Sequence, residues 1–351
     1  MEQNQIYMHR CVELARQGAG YVAPNPMVGS VLVHEHRIIG EGYHQQYGQA
    51  HAEVNCINSV KEADKYLIDK SAIYVCLEPC AHFGKTPPCV DLIIKHKIPT
   101  VVIGCRDPFK KVDGKGIEKL KNNGIEVIAG VLENECKELN KRFFTFHTKK
   151  RPYIILKWAQ SKNQKISNAD LSRVLISNAF TNRLVHKWRS EEASILVGTN
   201  TAVQDNPELN TRHWTGPDPV RLVVDMNLRL PNDLQIFNAK QKTIVFNSIK
   251  DEEQENLLYF KLDNTLSFVS SLMKACCELE IQSILVEGGT KLLLSFIKEQ
   301  FWDEARVIEN SQLIIDNGLN APALSNHCLT DTENISTDII YYYKNTDRSI
   351  R

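Results

Sequence analysis

Three short motifs, close together in the first third of the chain, limit its folds more than any other sequence feature. They are His51-Ala52-Glu53, Glu78-Pro79-Cys80 and Pro87-Pro88-Cys89. Histidine and cysteine are the usual zinc ligands, and three protein ligands leave the fourth tetrahedral position open for water, as in catalytic zinc sites. We therefore expect a fold that brings His51, Cys80 and Cys89 to one zinc ion.

Glu53 gives this metal site a chemical task. If a helix begins near Ala52, His51 points at the metal and Glu53 lies beside it without being a ligand. A carboxylate in that place transfers protons between water and substrate, which is the chemistry of hydrolytic deamination. Cys80 and Cys89 are expected at or just before helix starts, where the helix dipole favours the thiolate.

Other functions compatible with zinc ligands make different demands on the sequence. A non-catalytic binding module stabilised by zinc normally closes its site with four protein ligands, and only three are found here. A nucleic-acid-editing deaminase needs a basic surface. The chain has 42 Lys and Arg against 42 Asp and Glu, so its formal net charge is zero. A small-molecule substrate and no nucleic-acid partner are expected.

The length of 351 residues predicts two domains of about 150 to 200 residues. Apolar strands alternate with amphipathic helices throughout, which predicts an α/β fold with mainly parallel sheets. A helix is expected from Ala52 to about Ala63, and another from Cys89 to Lys95. The segment RFFTFHTKKRPY has no clear periodicity. We place the domain boundary there, giving a deaminase domain at 1–147 and a second domain at 148–351.

Cysteine usage and hydropathy bear on the cellular compartment. The ten cysteines are not spaced as in a disulfide-rich scaffold. No segment reads as a signal peptide or as a membrane span. We expect a cytoplasmic protein without a membrane partner, and the sequence leaves open whether it forms a homo-oligomer.

Four segments of the first half carry a family resemblance: PNPMVGSVLV at 24–33, GEGYH at 40–44, HAEV at 51–54 and LEPCAHFGKTPPCVDLII at 77–94. They resemble the deaminase domain of the bifunctional riboflavin-biosynthesis deaminase/reductases, which has a cytidine-deaminase-like fold. The eight residues between Cys80 and Cys89 replace the Cys-x-x-Cys spacing of the general deaminase signature and should form a pocket wall. The resemblance implies that a pyrimidine ribosyl-phosphate contacts Asn25, His44, His82, Lys85 and Asp107.

The second half resembles the reductase domain of the same family. The matching text is LKWAQS at 156–161, GTNTAVQDNPELNTR at 198–212 and VEGGTKLLLSFI at 286–297. The resemblance implies a dihydrofolate-reductase-like fold that uses NADPH. It assigns NADPH contacts to Ala159, Leu175, Thr201, Asp205, Gly289 and Thr290, and substrate contacts to Arg189, Leu209, Arg212 and Glu287.

The residues themselves support part of this reading. Gly288 and Gly289, between a strand and a helix, allow a pyrophosphate to approach backbone N–H groups at a helix N-terminus. No Gly-x-Gly-x-x-Gly occurs, so a Rossmann domain is not expected. The chain departs from the family in two places. Asn163 and Gln164 replace Asp and Gly of the usual Ser-Leu-Asp-Gly-Lys, and Arg173 and Leu175 replace a small polar and an aromatic residue.

Together the two resemblances imply a bifunctional enzyme. The first domain would remove the 2-amino group of 2,5-diamino-6-ribosylamino-4(3H)-pyrimidinone 5′-phosphate by hydrolysis. The second would use NADPH to reduce the ribosyl group to a ribityl chain. The alternative is a cytidine- or guanine-type deaminase followed by an inactive or unrelated binding domain.

Overall fold

Strands and helices alternate along the whole chain in a computed structural model, which describes residues 2–84, 86–109, 112–169 and 174–347. Lys85 and Arg173, both named in the sequence analysis, lie outside the described residues. The chain divides into two compact units, Met1–Lys150 and Arg151–Arg351. The boundary expected between residues 147 and 148 falls inside the last helix of the first unit, Lys141–Lys149.

The described residues of the first unit form a five-stranded sheet, six α-helices and a 3₁₀ helix at Glu62–Lys70. The elements in chain order are α1 Glu2–Arg16, β1 Gly29–His34, β2 Arg37–Tyr43, α2 Ala52–Asn58, β3 Ala72–Leu77, α3 Cys89–Lys95, β4 Thr100–Cys105, α4 Lys115–Asn122, β5 Glu126–Ala129, α5 Glu133–Leu139 and α6 Lys141–Lys149.

The strand order of this sheet is β2-β1-β3-β4-β5. β1 is antiparallel to both of its neighbours, whereas β3, β4 and β5 are parallel. Side chains of a strand alternate between the two faces. Ile73 and Val75 therefore pack with α2, α3 and α4 on one face, and Tyr74 and Cys76 pack with α1 and α5 on the other. The result is a three-layer α/β/α unit whose metal-ligand motifs follow β2 and β3.

One helix prediction in this unit is wrong, and helix α6 was not predicted. The helix at Ala52 ends at Asn58 rather than near Ala63, because the Ser59 hydroxyl bonds back to the Cys56 carbonyl and accepts the Glu41 N–H. The segment without periodicity forms α6. Asn140, at its start, exchanges two hydrogen bonds with the backbone of Met27, each 2.8 Å long. Tertiary contacts of this kind do not appear in a local sequence pattern.

In the second unit, residues 151–169 and 174–347 form a ten-stranded sheet, a two-stranded sheet and four α-helices, with a 3₁₀ turn at Gln235–Phe237. Its elements in chain order are β6 Tyr153–Ser161, β7 Lys165–Asn168, α7 Ala179–Glu191, β8 Ser194–Gly198, α8 Thr199–Asp205, β9 Val220–Val224, β10 Thr243–Asn247, β11 Glu252–Gln254, β12 Leu257–Lys261, α9 Phe268–Glu278, β13 Ser283–Val286, α10 Thr290–Lys298, β14 Glu304–Asn310, β15 Gly318–Asn320, β16 His327–Ile335 and β17 Asp338–Asn345.

The large sheet has the order β11-β12-β10-β9-β8-β13-β6-β14-β17-β16. The seven strands from β12 to β14 in this order run parallel, with antiparallel strands added at both ends. The α/β class is confirmed in both units; the sheet of the second unit is mainly parallel as predicted, whereas the sheet of the first unit has two parallel and two antiparallel strand pairs. Within the described residues, no helix is both long enough and apolar enough to cross a membrane.

The turn between β6 and β7 shows how the chain accommodates its departure from the family sequence. Gln164, at the position of the family's glycine, adopts a left-handed conformation with φ of 59°. Asn163 Oδ1 accepts hydrogen bonds from the Ser161 hydroxyl at 2.7 Å and the Ile315 N–H at 3.2 Å. Gln164 thus takes a conformation that glycine adopts most readily, and the Asn163 amide side chain stabilises the turn.

Candidate active sites

His51, Cys80 and Cys89 come together in the first unit. His51 caps the start of α2, Cys89 is the first residue of α3, and Cys80 lies in the loop after β3. The Cys89 Sγ lies 3.3 Å from His51 Nδ1, and the Cys80 Sγ lies 3.6 Å from the same nitrogen. All three ligand atoms lie within 4.8 Å of one another.

The environment favours a thiolate at Cys80. The expectation that Cys80 stands at a helix start is wrong, because helix α3 begins only at Cys89. The first N–H of that helix, from Cys89, nevertheless donates to the Cys80 Sγ at 3.3 Å. A hydrogen bond from the Cys89 thiol, aided by His51, lowers the pKa of Cys80 well below its ordinary value despite burial.

This donor set fits zinc on chemical grounds. Two sulfurs and an imidazole nitrogen are ligands that zinc prefers, and three of them leave one coordination position for water. The Thr86 hydroxyl lies 3.4 Å from His51 Nε2. Such a contact orients the ring so that Nδ1 faces the sulfurs. Thr86 belongs to the loop between the cysteines and was not among the predicted site residues, because a threonine hydroxyl carries no distinctive sequence signal.

Glu53 lies in the first turn of α2 and is only 3% exposed. Burial, reinforced by the negative charge of Cys80, raises the pKa of Glu53 above its ordinary value. A carboxyl group with a raised pKa releases and accepts protons more readily near neutral pH. Its place beside the sulfurs agrees with the expected neighbour of a metal rather than a fourth ligand.

Asn25 and His44 form a hydrogen-bonded pair next to this cluster. The His44 Nδ1 bonds to the Ala50 carbonyl at 3.1 Å, so Nε2 is left to accept from the Asn25 amide at 3.1 Å. Burial lowers the pKa of His44, which keeps the ring neutral. The His44 ring stands edge-on to His51 with centroids 5.3 Å apart. Within the described part of the chain no hydrogen bond engages the Asn25 side-chain oxygen, so this oxygen can accept one from a ligand.

His82 and Asp107 are linked through Phe109. The His82 ring meets Phe109 edge-on at 5.9 Å, and the Phe109 N–H donates to Asp107 Oδ1 at 2.7 Å. His82 Nδ1 is buried without a hydrogen-bond partner in the described part of the chain. Burial raises the pKa of Asp107 to about 7. Lys85, assigned to the same substrate by resemblance, lies outside the described residues.

The second unit has a cavity of about 540 Å³ at the ends of β6 and β13 and beside α7 and α8. Its lining includes five residues assigned to NADPH and four assigned to substrate. They are Ala159, Leu175, Thr201, Asp205, Gly289, Arg189, Leu209, Arg212 and Glu287. Leu175 is 80% exposed. An apolar side chain so exposed at a cavity offers a contact surface for a ligand.

A buried ion-pair cluster forms one wall of this cavity. Arg189 donates to both oxygens of Glu287, at 2.8 and 2.9 Å, and the Lys157 ammonium lies 3.4 Å from Glu287 Oε2. Burial raises the pKa of Glu287, but the charges of Arg189 and Lys157 outweigh it and hold the pKa at about 2. The carboxylate is therefore ionised, and two cations around one anion leave the wall net positive.

Lys157 and His186 were missed as site residues, although both line the cavity. Lys157 is a charged residue within an apolar strand, a signal that could have been used. His186 lies one turn before Arg189 on α7 and is only 1% exposed. Burial, with the charges of Arg189 and Arg212, lowers the pKa of His186 to about 4, so its ring is neutral.

The two glycines before α10 were expected to offer backbone N–H groups to a pyrophosphate, but the structure gives both of them other roles. The Gly289 N–H already donates to the Thr201 hydroxyl at 3.0 Å. A Cβ on Gly288 would lie 2.5 Å from the Leu292 side chain, so that glycine permits close packing. Thr290 begins α10, does not line the cavity, and donates its hydroxyl to the Asn320 carbonyl at 3.4 Å.

Two protein-family models match the chain, one in each half. Residues 1–105 match the cytidine and deoxycytidylate deaminase zinc-binding region, and residues 152–314 match the RibD C-terminal domain. The alternative of an unrelated second domain is therefore wrong. The predicted order, a cytidine-deaminase-like domain followed by a reductase domain, is confirmed.

Relatives match from end to end. The riboflavin biosynthesis protein RibD of Aquifex aeolicus is 37% identical over 98% of this chain and 99% of its own length. RibD of Escherichia coli is 32% identical over 86% of each chain.

Solved structures are similar to this chain over nearly its whole length. A diaminohydroxyphosphoribosylaminopyrimidine deaminase/5-amino-6-(5-phosphoribosylamino)uracil reductase of Thermotoga maritima superposes with a TM-score of 0.88 at 35% identity, covering 98% of this chain and 99% of its own. RibD of Acinetobacter baumannii gives 0.90 at 29% identity and covers 99% of both chains.

The family implies zinc for the first domain and a nicotinamide cofactor for the second. Because the members of this family are enzymes, the alternative of a non-catalytic module stabilised by zinc is excluded. Because the two family models and the full-length relatives agree with both sites, the chain belongs to the RibD family, the bifunctional enzymes of riboflavin biosynthesis in which a zinc-binding deaminase domain precedes a reductase domain.

Proposed function

We propose that this chain deaminates 2,5-diamino-6-ribosylamino-4(3H)-pyrimidinone 5′-phosphate and then reduces the ribosyl group of the product with NADPH. The first reaction replaces the 2-amino group by oxygen from water and releases ammonia. The second adds hydride from NADPH to C1′ and a proton to the ribose ring oxygen, whose bond to C1′ breaks, so that the ring opens to a ribityl chain. The names of the Thermotoga maritima relative support both steps.

In the deamination, His51, Cys80 and Cys89 would hold zinc. When bound, zinc would act as a Lewis acid and make water a nucleophile at neutral pH. Glu53 takes a proton from the attacking water and returns protons to the ring nitrogen and the departing ammonia. The Asn25 carbonyl oxygen, together with His44, His82 and Asp107, orients the pyrimidine. Lys85 binds the phosphate.

In the reduction, NADPH supplies the hydride. Ala159, Leu175, Thr201, Asp205 and Gly289, which line the cavity, form its binding surface, and Thr290 follows Gly289 at the start of α10. Arg189, Leu209, Arg212 and Glu287 surround the substrate. Arg212 is the better phosphate ligand of the two arginines, because Glu287 already neutralises Arg189 through two hydrogen bonds. Lys157 adds positive charge beside Glu287.

One observation carries the proposal: the convergence of two sulfurs on His51 Nδ1, at 3.3 and 3.6 Å, beside a buried glutamate. The test is an assay of the purified zinc-loaded protein with the diaminopyrimidine phosphate, with and without NADPH, followed by product mass. We expect NH to be replaced by O without NADPH, and two further hydrogens with it. NADH at the same concentration is the cofactor control.

An unchanged substrate mass in both reactions would contradict the proposed function. A deaminated product that gains no hydrogens with NADPH would leave the deaminase assignment standing and overturn the reductase assignment. Equal rates with NADH and NADPH would overturn the choice of NADPH.

A further inference from the structure

Glu78 carries a buried carboxylate close in sequence to the ligand Cys80, and the proposed deamination assigns no role to it. It follows β3, lies two residues before Cys80 and is only 3% exposed. An ionised carboxylate is costly to bury unless it is well hydrogen-bonded. Its hydrogen-bond partners therefore indicate what it does.

Four backbone N–H groups from a distant part of the chain converge on this carboxylate. Oε2 accepts from Asp107 at 3.3 Å and from Gly114 at 3.0 Å. Oε1 accepts from Gly116 at 2.9 Å and from Ile117 at 3.2 Å. Gly114 caps the N-terminus of α4, and the next two donors belong to its first turn. Glu78 thus caps a helix that is not its own.

The geometry around Gly116 shows how closely the two segments approach. A Cβ at this position would lie 2.2 Å from the Pro79 carbonyl oxygen. The Glu78 N–H also donates to the Cys105 carbonyl at the end of β4, at 3.0 Å. The turn that carries Cys80 is therefore tied both to the end of β4 and to the start of α4.

Asp107 lies between those two attachment points. It follows β4, and its own N–H is one of the four donors to Glu78. Hydrogen bonds to a charged acceptor are stronger than neutral ones, and the dipole at a helix start favours a carboxylate there. A single side chain thus sets the distance between the turn bearing Cys80 and the residue expected to contact the pyrimidine.

We propose that Glu78 is a positioning residue for the deamination, which acts by holding Asp107 and the start of α4 in register with the turn bearing Cys80. This inference rests on the proposed deamination and assigns Glu78 no contact with substrate. Residues that orient the first ligands of a metal site typically contribute about 10- to 100-fold to affinity or activity.

The test compares Glu78→Gln with Glu118→Gln in the full-length zinc-loaded protein. Glu118 is an exposed acidic residue in the first turn of the same helix, so it controls for the charge near the helix start. A glutamine amide offers one acceptor oxygen and turns its NH₂ group toward N–H donors. We expect Glu78→Gln to raise KM for deamination about tenfold or more with one zinc retained, and to leave reduction unchanged. Glu118→Gln should match the wild type.

A double-mutant cycle with Asp107→Asn separates positioning from general stability. If Glu78 acts through Asp107, adding Glu78→Gln to the Asp107→Asn protein should change KM little. Fully additive effects, or no effect of Asp107→Asn alone, would overturn the proposal. Rates are compared below the unfolding temperature of every variant. Glu78→Asp, which keeps the charge on a shorter side chain, takes the place of Glu78→Gln if the latter does not fold.

Amide hydrogen exchange gives a reading that does not depend on the reaction. We expect the Asp107, Gly114 and Gly116 amides to lose protection in Glu78→Gln and to keep it in Glu118→Gln. If the wild type releases no ammonia, the proposed function fails, and this measurement still decides whether Glu78 holds the segment. Unchanged protection in Glu78→Gln would overturn the inference even in an active enzyme.

Discussion

Glu53 and Cys89 allow metal binding and proton transfer to be measured separately. Glu53→Gln should keep zinc and lose about 10²- to 10⁴-fold in deamination turnover, because an amide cannot accept the proton of water. Cys89→Ser should lose the metal as well, since thiolate ligation supplies much of the affinity. Metal analysis and ammonia release on the same samples provide the check. Near-wild-type turnover in Glu53→Gln would show that another group carries the proton.

Arg212 tests the second site. Arg212→Ala should lower kcat/KM for reduction by about 10- to 100-fold, since a hydrogen bond to a charged group contributes about 1.5 to 3 kcal/mol. Deamination by the same protein is the internal control, and Lys298→Ala, which removes an exposed cation of α10, is the matched variant. Unchanged reduction kinetics would mean that Arg212, which bonds to Asn210 at 2.9 Å, has only a surface role.

Glu287 makes the stability of the second unit depend on pH. Its pKa in the folded protein is about 2, below the ordinary value of 4.5. The stabilisation from its ionised form is therefore complete above pH 4.5 and is lost as the pH falls toward 2. Glu287→Gln should lower the free energy of unfolding by about 3 to 5 kcal/mol at pH 7, because it leaves buried cations unpaired. The gap to the wild type should shrink as the pH falls below 4.5.

Urea unfolding followed by tryptophan fluorescence suits this comparison. All four tryptophans, Trp158, Trp188, Trp214 and Trp302, belong to the second unit. Glu255→Gln, an exposed glutamate of the same unit, is the control. A gap between Glu287→Gln and the wild type that stays constant from pH 7 to pH 3 would argue against the ion-pair origin of the effect.

In the turn from β6 to β7, the positive φ of Gln164 implies backbone strain that a substitution can test. A non-glycine residue in the left-handed region costs about 1 to 2 kcal/mol, partly offset because glycine has more freedom in the unfolded chain. Gln164→Gly should therefore stabilise the second unit by up to about 1 kcal/mol. Lys162→Gly, in the same turn without a positive φ, should instead destabilise it. Equal destabilisation by both variants in urea unfolding would refute the strain at Gln164.

Helices α2 and α3 show how elements prepare the metal site. Each begins at or next to a candidate ligand, His51 before α2 and Cys89 at the start of α3. The predicted starts, at Ala52 and at Cys89, match the observed ones, and two prolines that suit a first helical turn supplied the local signal for α3. The end of α2 was not predictable in this way, because Ser59 terminates it by bonding to β2.

For the molecule as a whole, the two activities should respond differently to metal removal. The zinc-fitting cluster belongs to the first unit and the cavity to the second. Chelation should abolish deamination, whereas NADPH-dependent reduction of the deaminated substrate should continue. Ammonia release and NADPH oxidation, measured before and after zinc is added back, give the readout. Loss of both activities on chelation, restored together by zinc, would mean that the reductase also requires the metal.

The sequence alone determined the α/β class, the family and most of the candidate residues of both sites. These depend on local patterns: apolar periodicity, proline at helix starts, and ligand types spaced closely in the chain. His51, Cys80 and Cys89 fall within residues 51–89, a segment that contains α2, the 3₁₀ helix and β3, so their convergence depends on that one segment.

Tertiary structure decided the contacts between residues far apart in the chain. Strand β13 lies between β6 and β8, which brings Glu287 to Lys157 and to Arg189, 130 and 98 residues away. The same kind of long-range contact caps α4 with Glu78, anchors α6 through Asn140 and engages the Gly289 N–H with Thr201. Sheet order and packing are properties of the folded chain, because they arise only when distant segments bury their apolar faces together and satisfy each other's polar groups.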